Sequence, residues 1–290
     1  MIVNSISNKV VLGTAQFGGD YGIANLAGKP TRSEINRILS YAWDSEVITY
    51  DSAPRYGSEE ILGDFIHAHG IQKDIKVLTK IPPTGDTTNY RDNVLRSVEE
   101  SLNLLGCPIE VLFFHDECDS IRLYQDSDFF KSLLNNFPIA NLGISFYDPL
   151  ETRKVSDCEF ELAYQFPFNI FDKRFESAAK ECKTSYARSV MLQGLLTSRG
   201  ALKKHAPREL YELQNKYHAK LNKHNLDPLR VAISAVANEE YIDYFLIGVD
   251  TSEQLEEILS VKLYDPDRLM TFNDIRKNVD AKSIDPRLWN

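Results

Sequence analysis

Short apolar runs alternate with longer segments whose apolar residues recur at helical spacing, and the alternation repeats along most of the chain. Val10–Gly13 reads as a first strand. Thr31-Arg-Ser-Glu34 has the form of a capping box, so a helix follows to about Ser45. Val47–Tyr50 is a second strand, and Ser58–Ala68 a helix halted by Gly70. Ile75–Thr79 is a third strand, followed by a Pro-rich loop and a helix over Tyr90–Leu105. Val111–Phe114 and Phe129–Asn135 form the fourth strand and helix, and Ile139–Ile144 and Leu150–Val155 the fifth pair. Leu162–Phe166 and Glu176–Lys183 form the sixth. Ser189–Leu192 is predicted as the seventh strand, with an added amphipathic helix, Glu209–His224, before the regular one at Pro228–Ala237. Tyr244–Ile247 and Ser252–Leu259 complete the eighth unit, and a polar tail runs from Tyr264 to Asn290.

Eight strand–helix units predict an α/β fold, a parallel (β/α)8 TIM barrel, with an open doubly wound sheet as the competing layout. A chain of 290 residues suits one barrel domain spanning 1–290 with its tail at about 264–290, and no shift in composition marks a linker. The net charge of −9 argues against a broad basic surface for nucleic acid or anionic membrane. No apolar run reaches the roughly 18 residues that would suggest a membrane span, and the N-terminal residues lack the pattern of an export signal. Cys107, Cys118, Cys158 and Cys182 show no metal-ligand spacing, so free thiols, no metal site and a cytoplasmic location are expected.

In a parallel barrel, reactive groups sit at the C-terminal ends of the strands. Gly13 and Thr14 follow the first predicted strand, Asp51 the second with Tyr56 five residues on, Lys80 the third and His115 the fourth. A carboxylate, a phenol, an ammonium and an imidazole suit proton transfer to a carbonyl oxygen. A tyrosine hydroxyl can supply that proton, but its pKa is ordinarily about 10. A neighbouring ammonium is expected to lower that value, and a buried carboxylate to hold the ammonium. The imidazole would orient the substrate oxygen.

The segment from Asp51 to Gly63 resembles the first signature of the aldo-keto reductases, D-[S/T]-A-x5-E-x2-L-G, although the Gly-Phe/Tyr-Arg that often precedes it is absent. The resemblance implies that Asp51, Tyr56, Lys80 and His115 are the family's catalytic tetrad, with tyrosine as general acid. Leu142-Gly-Ile-Ser145 is similar to the fifth-strand motif whose serine contacts the nicotinamide amide, though Phe146 stands where Asn often follows. Gln165 matches the glutamine that shares this contact. Arg188–Leu196, with Met191, Gln193 and Gly194, resembles the segment cradling the cofactor. The residue stacked on the nicotinamide there is often aromatic, and Val190 or Met191 is expected in its place. Ile247-Gly248-Val249 through Glu257 resembles the eighth-strand loop and helix that hold the adenosine phosphate. The likeness runs from about Val10 to Val261, and the opening residues are similar to those of short bacterial members associated with surface-sugar biosynthesis.

The resemblance implies nicotinamide-dependent reduction of a small carbonyl compound. A redox-neutral sugar epimerase or eliminase and a non-catalytic cofactor-binding sensor remain as alternatives. NADP(H) is the expected cofactor, with NAD(H) also accepted. Gln254 and Gly248 stand where most members have an arginine and a lysine for the 2′-phosphate, and Thr251, Ser252 and the amides opening the eighth helix are expected to compensate. Phe17, Tyr21, Tyr56 and His115 are the expected substrate contacts. Gln16, the Pro82–Asn89 loop, Phe146 and the tail near Trp289 would complete that pocket.

Overall fold

A computed structural model describes residues 6–85, 88–197 and 202–289. Eight parallel strands close into a barrel: β1 Val10–Gly13, β2 Thr49–Asp51, β3 Lys76–Ile81, β4 Ile109–Phe114, β5 Ile139–Ser145, β6 Ala163–Pro167, β7 Thr184–Arg188 and β8 Tyr244–Ile247. Each strand pairs with its sequence neighbours, and Val11 of β1 lies beside Leu246 of β8 to shut the ring. The fold is a (β/α)8 TIM barrel. The capping-box helix runs over Arg32–Asp44, where the Thr31 hydroxyl accepts a hydrogen bond from the Glu34 amide. The fifth unit carries a short 3-10 helix, Glu151–Val155, instead of a full helix.

The seventh strand needs correction. It is Thr184–Arg188, and the expected Ser189–Leu192 is loop. Ser189 and Leu192 both have left-handed backbones, at φ 57° and 47°, which a strand does not accommodate. The apolar Val-Met-Leu run looks strand-like, but Val190 and Leu192 are buried, and Met191 half-buried, in the apolar layers outside the barrel interior. The true strand, Thr-Ser-Tyr-Ala-Arg, is half polar because Ser185 points outward and bonds Asp243 while Tyr186 points into the barrel.

The barrel interior is packed by Val11, Leu78, Val111, Phe113, Ala163 and Tyr186, with Tyr244 and Leu246 against them. Tyr186 stacks on Tyr244 at 5.0 Å and meets Phe113 edge-on at 5.7 Å. This plug sets the position of the site, because strand side chains alternate faces. The next inward position on each of these strands, two residues C-terminal, lies at the top of the plug. Outside the strands, a larger apolar layer joins them to the helices.

The helix Glu59–His69 explains part of the sequence string that follows Asp51. Glu59 is buried between β3 and the neighbouring helix Tyr90–Leu105, accepting hydrogen bonds from Thr79 Oγ1 at 2.6 Å and Ser101 Oγ at 3.2 Å. Burial raises its pKa, and these bonds partly oppose the rise. A Cβ on Gly63 would stand 1.8 Å from the Leu104 carbonyl oxygen, so the close helix contact requires glycine there. Glu59 and Gly63 thus hold the scaffold behind Lys80.

Candidate active site

A cavity of about 640 Å³ opens at the C-terminal end of the barrel. Every strand sends one side chain, or a glycine, to its wall: Gly13, Asp51, Lys80, His115, Ser145, Gln165, Arg188 and Gly248. Six of these stand two residues beyond the interior plug residues Val11, Leu78, Phe113, Ala163, Tyr186 and Leu246. The site is therefore a consequence of β-strand alternation applied to a closed ring.

Asp51 and Lys80 form a buried ion pair, at 2% and 1% exposure. Lys80 Nζ donates to Asp51 Oδ1 at 2.7 Å, Asp51 Oδ2 at 2.8 Å and the Ser52 carbonyl at 2.9 Å. Gln165 Nε2 adds a bond to Asp51 Oδ1 at 2.8 Å. Burial draws the Lys80 pKa below its ordinary value, and the Asp51 carboxylate opposes that effect. Lys80 Nζ lies over the Tyr56 ring, 4.8 Å from its centre. Tyr56 is set by the short turn Pro54–Tyr56, and a Cβ on Gly18 would overlap the Tyr56 carbonyl oxygen at 1.4 Å. Glycine at position 18 lets the first loop press against the turn that carries Tyr56.

The expected effect of Lys80 on the phenol needs correction. The Tyr56 pKa is raised well above 10, first by burial and then by Asp51 and Tyr147, with Arg188 opposing. The Asp51 carboxylate that neutralises Lys80 at contact distance is itself one of the groups that raise the phenol. Tyr56 is thereby held as a protonated phenol. His115 stands edge-on to Tyr56, with ring centres 6.2 Å apart, and its Nδ1 is buried without a hydrogen-bond partner among the described residues. Burial and the cations Lys80, Arg55 and Arg188 push its pKa down to about 4. The imidazole is therefore neutral at pH 7 and can donate one N–H to a substrate oxygen.

A pH experiment checks this. The unfolded chain should protonate His115 near pH 6.5, and the native state only near 4. Between those values the unfolded state binds more protons, so native stability should fall as pH drops, by up to about 3 kcal/mol. In His115→Asn this part of the slope should disappear, as read from urea midpoints. An imidazole resonance for His115 titrating near 6.5 would contradict the assignment.

Of the other residues singled out in the sequence, Met191, Gln193, Gly194, Gln254, Glu257, Gln16 and Tyr21 line the same cavity. Thr14 does not. It is fully buried, and its hydroxyl donates to the Asp51 carbonyl at 3.0 Å and meets Ser58 Oγ at 2.7 Å, so it braces β2. Phe17 is also fully buried, in the layer between strands and helices. Phe146 follows the inward Ser145, so alternation turns it outward against Tyr164, and Tyr147 lines the cavity instead. In the loop after β3, residues 86–87 lie outside the described residues, and Thr84 is bound to Asp119. The tail reaches the mouth through Pro286, whereas Trp289 is buried with its Nε1 donating to the Lys282 carbonyl.

The expected phosphate seat at the helix Ser252–Leu259 is already engaged. The Ser252 amide donates to Glu34 Oε1 at 2.7 Å, and the Gln254 amide to the Thr251 hydroxyl at 3.3 Å. Gln254 Oε1 accepts from the Asp250 amide at 2.8 Å. Asp250 also accepts from Asn25 Nδ2 at 3.1 Å, so the first loop bridges to the loop after β8. The Gln193 segment holds the same loop: the Ala24 amide donates to the Gln193 carbonyl and the Ile23 amide to Gln193 Oε1.

Arg188 and Tyr147 were missed as individual wall residues. The signal for Arg188 was available in the spacing from Tyr186, but the misplaced seventh strand concealed it.

Comparison with known proteins fits this geometry. The chain is 25% identical over 303 aligned positions to pyridoxal 4-dehydrogenase of Microbacterium luteolum, covering 85% of this chain and 86% of that protein. The profile of the Aldo/keto reductase family matches residues 9–276, which take in all eight strands and every residue of the tetrad wall. A closed barrel with a buried Asp–Lys pair beneath a protonated tyrosine, matched along nearly its whole length by that profile, places this chain in the Aldo/keto reductase family of oxidoreductases.

Proposed function

We propose that this protein reduces an aldehyde or ketone to an alcohol with a nicotinamide cofactor, and that Tyr56 donates the proton. One observation carries the reading: the half-buried Tyr56, its phenol pKa raised, shares the cavity wall with a neutral histidine and a neutralised Asp51–Lys80 pair. His115 would hold the carbonyl oxygen by a hydrogen bond and Tyr56 would protonate it as negative charge develops there. Asp51 and Lys80 fix the turn and the floor on which this happens. The cavity residues fit a nicotinamide cofactor. Gly13 and Gly248 line the wall without a side chain, Gln16 packs close against Gly248, and Ser145 and Gln165 offer polar groups for a carboxamide. Such a cofactor, when bound, supplies hydride at the carbonyl carbon. The test is nicotinamide oxidation with sugar aldehydes, nucleotide sugars and aromatic aldehydes. Alcohol formed in equal amount supports reduction, whereas product without net cofactor consumption favours the redox-neutral alternative.

The lining at the cofactor end of the cavity supports relaxed selectivity, with NADP(H) bound and NAD(H) also accepted. Asp250 and Glu257 line it, and the Glu34 carboxylate occupies the Ser252 amide, so negative charge faces a 2′-phosphate. NADP(H) is expected to bind with an advantage below about 30-fold, roughly 2 kcal/mol. Gln254→Arg should shift preference toward NADP(H) by about tenfold, and added salt should reduce the gain. Dissociation constants from nucleotide fluorescence decide the matter. A wild-type preference for NADP(H) above about a thousandfold would contradict it.

A further inference from the structure

Two cations reach the cavity wall from the barrel strands, and they differ in one respect. Lys80 is answered by Asp51. Arg188, the inward side chain ending β7, pairs with no carboxylate among the described residues. Its hydrogen bond runs from Nη2 to the Phe146 carbonyl at 2.8 Å, and its guanidinium carbon lies 3.7 Å from the centre of the Tyr147 ring. Arg174 is paired with Asp172 at 2.9 Å, and Arg287, which also lies over Tyr147, with Asp285 at 2.7 Å, whereas Arg55, whose charge also reaches His115, is exposed to solvent. A guanidinium carries five N–H donors in a rigid fork suited to carboxylate or phosphate oxygens. In a chain of net charge −9, a half-buried arginine left without an acid at the reaction centre is a place for a negative charge from outside. Its field reaches the centre of the site, acting on His115, Lys80 and Tyr56 together.

We infer that Arg188 is a specificity-determining residue that binds an anionic group, a carboxylate or a phosphate, on the carbonyl substrate. The inference rests on the proposed carbonyl reduction and narrows its substrate class to anionic carbonyl compounds. Stacking on Tyr147 and the bond to Phe146 hold the guanidinium plane in place, so little side-chain freedom is lost when an anion arrives.

Matched substrates test it: 4-carboxybenzaldehyde against 4-nitrobenzaldehyde, and glyceraldehyde 3-phosphate against glyceraldehyde. Wild type should favour the charged member of at least one pair by about tenfold or more in kcat/KM, and the pair identifies carboxylate or phosphate. Arg188→Met should collapse that ratio to about 1, mainly through KM, and Arg188→Lys should recover part of it. Any shared effect on proton donation cancels within a pair. Binding gives an independent readout: calorimetry with 4-carboxybenzyl alcohol and with inorganic phosphate, at oxidised cofactor saturating for each variant, should show an anion site lost in Arg188→Met. No charge preference in wild type, or a preference that survives Arg188→Met, overturns the inference and leaves the reduction reading standing. Arg188-dependent anion binding without turnover of any aldehyde supports the anion site and counts against reduction.

Discussion

Tyr56→Phe is expected to lower carbonyl reduction by about 10²-fold or more while cofactor affinity stays within a few-fold. The substitution removes one hydroxyl and keeps the ring that packs over Lys80 and edge-on to His115. Neither of its two neighbours in the site readily replaces it as an acid at pH 7. His115 is neutral, and the Lys80 protons are directed at Asp51 and the Ser52 carbonyl. Because burial holds the phenol pKa well above 10, wild-type activity should show no loss from Tyr56 ionisation as pH rises to about 9. Single-turnover rates beside nucleotide binding measure both quantities. Turnover retained in Tyr56→Phe would remove the residue from its role.

Lys80→Met is expected to be as damaging to turnover and far worse for stability. Asp51 is 2% exposed, and removing its cation leaves a buried carboxylate held by Gln165 alone among the side chains bonded to it. Breaking a buried pair from one side typically costs about 3–5 kcal/mol. Asp51→Asn/Lys80→Met should recover most of that stability, since both charges go together, yet turnover should stay low. Adding Tyr56→Phe to Lys80→Met should lower turnover little further, because the groups act as one unit. Urea unfolding and turnover on the four variants separate the two roles. A double Asp51/Lys80 variant as unstable as Lys80→Met would show that the pair's charge balance is not what the fold depends on. Fully additive turnover losses would show that Lys80 and Tyr56 act separately.

Much of the architecture was legible because it rests on local rules. The capping box at Thr31, the Gly70 stop and the repeated apolar runs mark units whose helices and strands must bury one face each. Asp51, Tyr56, Lys80 and His115 were legible for a related reason. They sit at the ends of apolar runs, and barrel strands end at the reactive face. Seven strands were found within a few residues. The seventh was misread because a barrel strand buried on both faces need not look apolar when Ser185 finds Asp243 and Arg188 finds a cavity.

The sequence by itself determined which segments alternate, and therefore that a ring of strand ends would carry an acid, a base, a phenol and an imidazole. Only the tertiary structure decided which way each neighbouring side chain turns. Thr14, Phe17 and Phe146 read as wall residues but face the braced backbone or the helix layer, while Tyr147 and Arg188 take the wall. It also decided charge. Lys80 is paired with Asp51, the amide opening the eighth helix is bound by Glu34, and Arg188 meets no carboxylate among the described residues. The physical reason is range. Hydrophobic periodicity acts between residues a few positions apart, whereas charge is set by partners brought together from opposite sides of the barrel, 29 positions apart for Lys80 and Asp51 and 218 for Ser252 and Glu34.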